Sequence, residues 1–362
     1  MRARHAGLSP LLGLALALVH ALPAFSARRD QAAAGTLVVL NKAEATASLI
    51  DLATGETAAT IGTGVGPHEA AVSPDGRLAV ATNYGTREAP GSSLTVIDVT
   101  GARVVKTIDL GSHRRPHGVA WLPDGKRVAV TAEESRALLI VDVPGGNVEA
   151  AIDTDQDVSH MVVVSADGKR AYVANIGSGS MTAIDLEGRA RLKTVSTGGG
   201  AEGIALQPGG KTLWVTNREA DTVSVVDTGS LEVVATLPSP SFPIRAAATS
   251  DGRFVLVSNA RSGAVAVFDA KGRKEERRIT MTLEAAGTEG RLFGGQFGKS
   301  PVPIGILLHP DGKRAYVANA NADAVAVVDL STWAVSGTLR AGKEPDGMAY
   351  SPLTSGRNRP PR

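Results

Sequence analysis

The 362-residue chain contains no cysteine. That excludes disulfides, thiolate metal sites, covalent attachment of a c-type haem and a lipidated N-terminal cysteine. Aromatic residues make up only 4% of the chain, which leaves few rings on which nucleic-acid bases could stack. No charge of one sign dominates: 38 basic against 36 acidic residues give +2. Loss of Arg2 and Arg4 with an N-terminal leader would bring this to 36 − 36 = 0. A broad basic footprint for nucleic acid is therefore missing, and no nucleic-acid partner is expected. Long apolar runs are missing too. Every run after the N-terminus has the length of a strand, and the stretch from about Leu11 to Leu22 falls short of the roughly 20 residues of a membrane span.

What the N-terminus does have is a leader pattern. Arg2 and Arg4 precede the apolar stretch, and Ala24-Phe25-Ser26 puts small residues at the two positions a signal peptidase reads. We expect a signal peptide over 1–26, cleavage before Ala27, a linker over 27–35 and a periplasmic or secreted protein with no membrane-spanning segment.

Internal repetition organises the rest. Each unit reads as an apolar strand, a Pro-Asp-Gly-type turn, an apolar strand ending in Asn, a polar loop, an apolar strand ending in Asp, and a fourth strand. The Asp recurs as Asp51, Asp98, Asp142, Asp185, Asp227, Asp269 and Asp329, at steps of 47, 44, 43, 42, 42 and 60 residues. The Asn recurs as Asn41, Asn83, Asn175, Asn217, Asn259 and Asn319, with Ala132 in its place in one unit. Seven marks at this spacing predict an all-β fold, a seven-bladed β-propeller of four-stranded antiparallel blades over 36–352. The chain starts at Thr36 with three strands and ends with the lone strand pattern Glu344-PDGMAYSP, so both ends should share the last blade. A basic, disordered tail is expected over 353–362. The Asp and Asn marks are read as turn and strand caps. Tyr172, Trp214, Phe254 and Tyr316 share one strand position and are read as core.

The segments Ala171-Tyr-Val-Ala-Asn175, Trp214-Val-Thr-Asn217 and Tyr316-Val-Ala-Asn319, with their Pro-Asp-Gly-Lys turns, resemble the YVTN family of propeller repeats, which is similar to YncE-like and lactonase-like propellers. The resemblance implies a funnel-shaped channel with binding on one face. It fixes no single activity.

One face of such a ring carries candidate chemistry. Where each first strand begins stand His68, His117, His160, Glu202, Ile244, Ile304 and Asp346, one per blade, with Arg245 next to Ile244. Superposable repeats should bring these side chains to one level at the channel mouth. Imidazoles with a carboxylate are ligand types for a divalent metal ion such as Zn²⁺, Fe²⁺, Mn²⁺ or Ni²⁺, so His68, His117, His160 and Glu202 form a candidate metal set. A structural collar is the plainer reading of the same residues. The long step before Asp329 locates an insertion over Glu284–Pro303 on the same face. Its Arg291, Phe293 and Phe297 make it a candidate lid or docking loop, or a disordered spacer. Arg114, Arg115, Glu133 and Glu134 lie near the same mouth.

No phosphate-binding Gly-rich loop, G-x-S-x-G elbow or H-E-x-x-H motif occurs. The favoured expectation is a monomeric, non-catalytic binding propeller for a small molecule or an envelope protein. The candidate ligand set is His68, His117, His160, Glu202, Arg245, Asp346, Arg291, Phe293 and Phe297. The alternatives are a metal-assisted, lactonase-like hydrolase or lyase, with Arg245 orienting an anionic substrate, and a surface-layer scaffold.

Overall fold

The structure, a computed structural model, describes residues 34–286, 289–291 and 293–356. The expected leader over 1–26 and most of the linker lie outside the described residues, as do residues 357–362 of the tail. Among the described residues, seven four-stranded antiparallel sheets form the ring, and no helix is long and apolar enough to cross a membrane.

Six sheets are contiguous in the chain. The seventh combines Thr36–Asn41, Thr46–Asp51 and Glu56–Gly62 with the C-terminal strand Pro345–Ser351, which pairs antiparallel with Thr36–Asn41. The composite blade inferred from the repeats is therefore present. The chain stays anchored past Pro352: Thr36 Oγ1 donates to the Leu353 carbonyl at 2.7 Å, and the Gly356 N–H donates to the Thr100 carbonyl at 3.1 Å. Residues 353–356 of the expected tail are thus tied to the ring.

The repeat marks act as local ties. Each Asp ends a third strand and caps the following turn, as when Asp51 Oδ1 accepts from the Ala53 N–H at 2.8 Å and Asp269 Oδ1 from the Gly272 N–H at 2.9 Å. Asn41, Asn83, Asn175 and Asn217 each donate through Nδ2 to two hydroxyls on the neighbouring strand, for example Thr222 and Ser224 for Asn217 at 3.0 Å each. These side chains tie neighbouring strands and turns together, which explains their regular recurrence.

Between sheets lie Val-, Leu- and Ala-rich layers, one for each pair of neighbouring blades. Tyr172, Trp214 and Tyr316 are buried as expected. Phe254 departs from that pattern: it is partly exposed and rests edge-on against Trp333 at 4.9 Å.

The first strand of each sheet lies innermost, around the axis. A hydroxyl on the second strand ties it to the next blade. Thr82 donates to the His117 carbonyl, Thr131 to that of His160, Thr216 to that of Ile244 and Ser258 to that of Ile304, at 2.6–3.3 Å. Those carbonyls belong to the register residues at the channel mouth, so inter-blade packing fixes their level.

Candidate functional site at the channel mouth

Each register residue occupies the second position of its inner strand: Pro67–Val72, Pro116–Trp121, Ser159–Val164, Ala201–Leu206, Pro243–Ala248, Pro303–Leu308 and Pro345–Ser351. They converge. A cavity of about 100 Å³ is lined by His68, His117, His160, Glu202, Ile244, Arg245, Ile304 and Asp346 together with Lys42, Arg218 and Phe293.

The three imidazoles form a stack along one wall. His117 and His160 have ring centroids 3.5 Å apart, and His68 meets His117 edge-on at 4.8 Å. Tyr84 packs on both His68 and His117. His68 donates through Nδ1 to its own Gly66 carbonyl at 2.8 Å. Burial holds His68 and His117 well below the ordinary imidazole value, helped by the Lys42 charge at His68 and by His160 at His117. Both are therefore neutral near pH 7. His160 behaves oppositely. Burial pulls its pKa down, but Glu133 Oε1 at 2.5 Å and Glu202 Oε1 at 3.4 Å outweigh this and raise it.

Below the imidazoles an ion cluster crosses the channel. Arg245 reaches Glu69 Oε1 through Nε and Nη2 at 3.1 and 2.8 Å, and Glu202 Oε1 through Nη1 at 3.0 Å. Arg218 Nη1 binds the other Glu202 oxygen at 2.7 Å. Burial works against the Arg245 charge, but Glu69, Glu202 and Asp346 outweigh it and raise its pKa. Burial likewise opposes the Glu202 charge, yet His160, Arg218 and Arg245 hold its pKa at about 2. Burial pushes the Glu69 and Asp346 carboxyls upward, against the pull of Arg245. Arg245 is thus engaged by two carboxylates.

The described part of the insertion packs over one side of the mouth. Phe293 lines the cavity. Phe297 does not: it is buried in an apolar cluster with Phe242, Ile244 and Ile304, its ring stacked on Phe293 at 4.8 Å. Arg291 turns to Asp323, with Nη1–Oδ1 at 2.6 Å and Nη2–Oδ2 at 2.7 Å. The described part of the insertion is therefore latched to the last contiguous blade, and Phe293 and Phe297 pack against Phe242.

Five cavity-region residues escaped the sequence argument or its ligand set: Lys42, Glu69, Tyr84, Glu133 and Arg218. Four of them share a register. Each immediately follows the Asn-mark position of the second strand (Asn41, Asn83, Ala132 and Asn217). In the other blades Ile176, Ala260 and Ala320 stand there. The backbone N–H at this position bonds the carbonyl just before the inner strand in every blade, as Tyr84 does to Gly66 and Arg218 to Gly200. This second ring of positions was readable from the repeat. Glu69 was not, because its partner Arg245 lies across the channel.

The cavity keeps unmet bonding capacity. His117 Nδ1, His160 Nε2, Arg218 Nε and Asp346 Oδ1 are buried with no hydrogen-bond partner. Each such group costs about 1–3 kcal/mol if left unpaired. A larger groove of about 920 Å³ opens at the opposite end of the inner strands, along Val163, Val164 and Leu206. None of these unpartnered atoms lines that groove.

Comparison with known proteins agrees with the repeat reading. Residues 121–290 match the family model described as YNCE-like beta-propeller. The chain is 31% identical over 209 residues to Protein NirF of Stutzerimonas stutzeri, a match covering 56% of this chain and 49% of that protein. The chain thus spans about half the length of this curated relative. Among solved structures, Kuenenia stuttgartiensis hydrazine synthase superposes with a TM-score of 0.67 at 21% identity, covering 79% of this chain and 90% of the other. Dihydro-heme d1 dehydrogenase NirN in complex with DHE gives 0.61 at 18%, covering 86% and 65%. At these identities the two structures speak for the fold alone. The resemblance drawn from the Tyr-Val-Ala-Asn segments is thus matched over residues 121–290 by the YNCE-like beta-propeller model, in keeping with the seven-bladed ring.

Proposed function

We propose that this protein is an exported binding propeller that holds a small, anionic ligand in the channel-mouth cavity and has no catalysis of its own. The observation that carries this reading is the set of buried, unpartnered polar atoms around one small cavity. Lys42, Arg218 and His160 supply positive charge there, and Arg218 Nε and His160 Nε2 stand ready to donate. The apolar side formed by Ile244, Ile304 and Phe293 would shape the rest of the ligand. A cavity of about 100 Å³ takes only a few non-hydrogen atoms. Export follows from the leader pattern at Arg2 to Ser26.

NirN, a solved structure of the same fold, is described as a complex with DHE. A macrocycle would need far more room than the cavity gives and would have to displace Phe293. The hydrolase alternative loses support from the geometry: Glu202 is taken up by two guanidinium groups, and Arg245 by two carboxylates.

The test is a melting screen of the purified chain with formate, acetate, nitrite, phosphate and haem. A ligand at 100 times its Kd adds about 2.7 kcal/mol of stability. We expect stabilisation by a small anion that is lost in Arg218→Gln. Absence of any response, an unchanged response in the variant, binding of haem alone, or turnover of a lactone by the metal-free protein would each overturn the reading.

A further inference from the structure

We propose that His117, Glu133 and His160 form a three-ligand site for a divalent transition-metal ion, with open coordination positions facing the cavity. This deepens the ligand-binding reading, because a metal with open positions is a natural seat for an anionic group.

The geometry is specific. Each residue offers one ligand atom, and the three atoms lie within 4.8 Å of one another. The residues are only 2%, 7% and 7% exposed. His117 Nδ1 has no hydrogen-bond partner, and His160 presents Nδ1 to Glu133 Oε1 at 2.5 Å while its Nε2 faces Glu202 Oε1 at 3.4 Å.

The set differs from the one read off the sequence. His68 uses Nδ1 on Gly66, and both Glu202 oxygens face guanidinium nitrogens. Glu133 stands in the ring of positions that follows the second strand, where the other blades place Lys, Tyr, Ile, Arg and Ala. It is the one acid in that ring, and it sits beside the two stacked imidazoles.

The surroundings are those of a built metal site. Tyr84 donates to Glu133 Oε2 at 2.6 Å, which leaves Oε1 for a metal. Thr82 and Thr131 hold the backbone carbonyls of His117 and His160 at 2.9 and 2.6 Å, and the Gly118 N–H donates to Thr131 Oγ1 at 2.8 Å. The Tyr84 contact is of the outer kind that orients a ligand and raises affinity, while the two threonine ties have hydroxyl counterparts in blades whose register residue is Ile. Two imidazoles and one carboxylate suit Zn²⁺, Fe²⁺, Mn²⁺ or Ni²⁺, and three protein ligands leave room for an exogenous one. The positive charge of Lys42, Arg218 and Arg245 nearby is offset by Glu69, Glu202 and Asp346. Metal binding would replace the short Glu133–His160 contact with two bonds to the ion.

The experiment uses the full chain, first treated with chelator and then titrated with Zn²⁺, Mn²⁺, Ni²⁺ or anaerobic Fe²⁺ alone. Elemental analysis gives stoichiometry, melting gives stabilisation, and Co²⁺ substitution gives a visible spectrum that reports coordination. We expect one ion per chain. Glu133→Gln and His117→Asn should weaken binding by at least about 100-fold, beyond the 10–100-fold typical of losing an outer-shell partner. His68→Asn should keep the ion. Circular dichroism confirms folding of each variant, and the wild-type stoichiometry stands independently of them. Failure of the wild type to bind any of these ions, or equal loss in His68→Asn and Glu133→Gln, overturns the site. The anion screen repeated on chelated protein separates the two readings. Anion stabilisation without metal leaves the ligand reading standing and removes the metal; a bound ion with no anion response does the reverse.

Discussion

Arg245 shows how much of this mouth is structure and how much is site. It is 6% exposed and bridges Glu69 and Glu202 from opposite sides of the axis. Removing one partner of a buried charge group leaves the others uncompensated, which costs about 3–5 kcal/mol, whereas removing both can be far milder. Arg245→Leu should therefore destabilise strongly in urea titrations, and Glu69→Leu/Arg245→Leu should recover at least about half of that loss. An Arg245→Leu protein within about 0.5 kcal/mol of wild type would show that the cluster contributes nothing to the ring. Four other blades place glycine where Glu69 and Arg245 stand: Gly118, Gly203, Gly305 and Gly347. A Cβ on Gly347 would meet the His68 carbonyl oxygen and the Glu69 Cα. Close blade approach is thus the rule at this level. The ionic pair occupies two of the three positions that escape it; the third is Met161.

At the scale of elements, the insertion decides how the cavity is covered. Asp323 accepts two bonds from Arg291 and one from the Glu344 N–H at 3.0 Å. Burial would raise the Asp323 pKa, but these partners outweigh it and lower it below 3.8. A lowered carboxylate contributes its stability above the unfolded value and loses it as pH falls through the folded one. The latch should therefore be intact at pH 6 and weaken below about pH 4, the ordinary range of an aspartate. Hydrogen-exchange protection of the Gly294 and Gln296 amides, which bond the Arg291 and Phe293 carbonyls, should fall between pH 6 and pH 3 after correction for intrinsic rates. Arg291→Ala should lack that protection at both pH values. Equal protection in the variant would mean that the phenylalanine cluster alone holds the insertion.

At the scale of the molecule, the ring was legible because its marks are local. Each Asp and Asn caps a neighbouring turn or strand, so it repeats wherever the local geometry repeats. The inner-strand register was legible for the same reason, and it brought His68, His117, His160, Glu202 and Asp346 to one cavity. Pairings across the axis, Glu69 with Arg245 above all, join residues far apart in sequence and leave no periodic trace. Arg291 and Phe297 turn to Asp323 and the phenylalanine cluster, a direction that no repeat fixes for an insertion. Closure is the property that only the whole ring has. Pro345–Ser351 supplies the inner strand of the composite blade, contributes Asp346 to the cavity and buries Met348 and Ala349. Truncation before Asp346 would expose the Thr36–Asn41 edge, remove the Gly347 contact and open the ring between two blades. Because about 1 kcal/mol shifts Tm by 2–4 °C in a large domain, loss of several kcal/mol should lower melting by at least about 10 °C. A synthetic peptide of residues 343–356 added to the truncated protein should restore much of that loss, since the missing strand carries its own pairing register. If the truncated chain melts with the full one, or if the peptide gives no recovery, the two ends do not jointly close the ring.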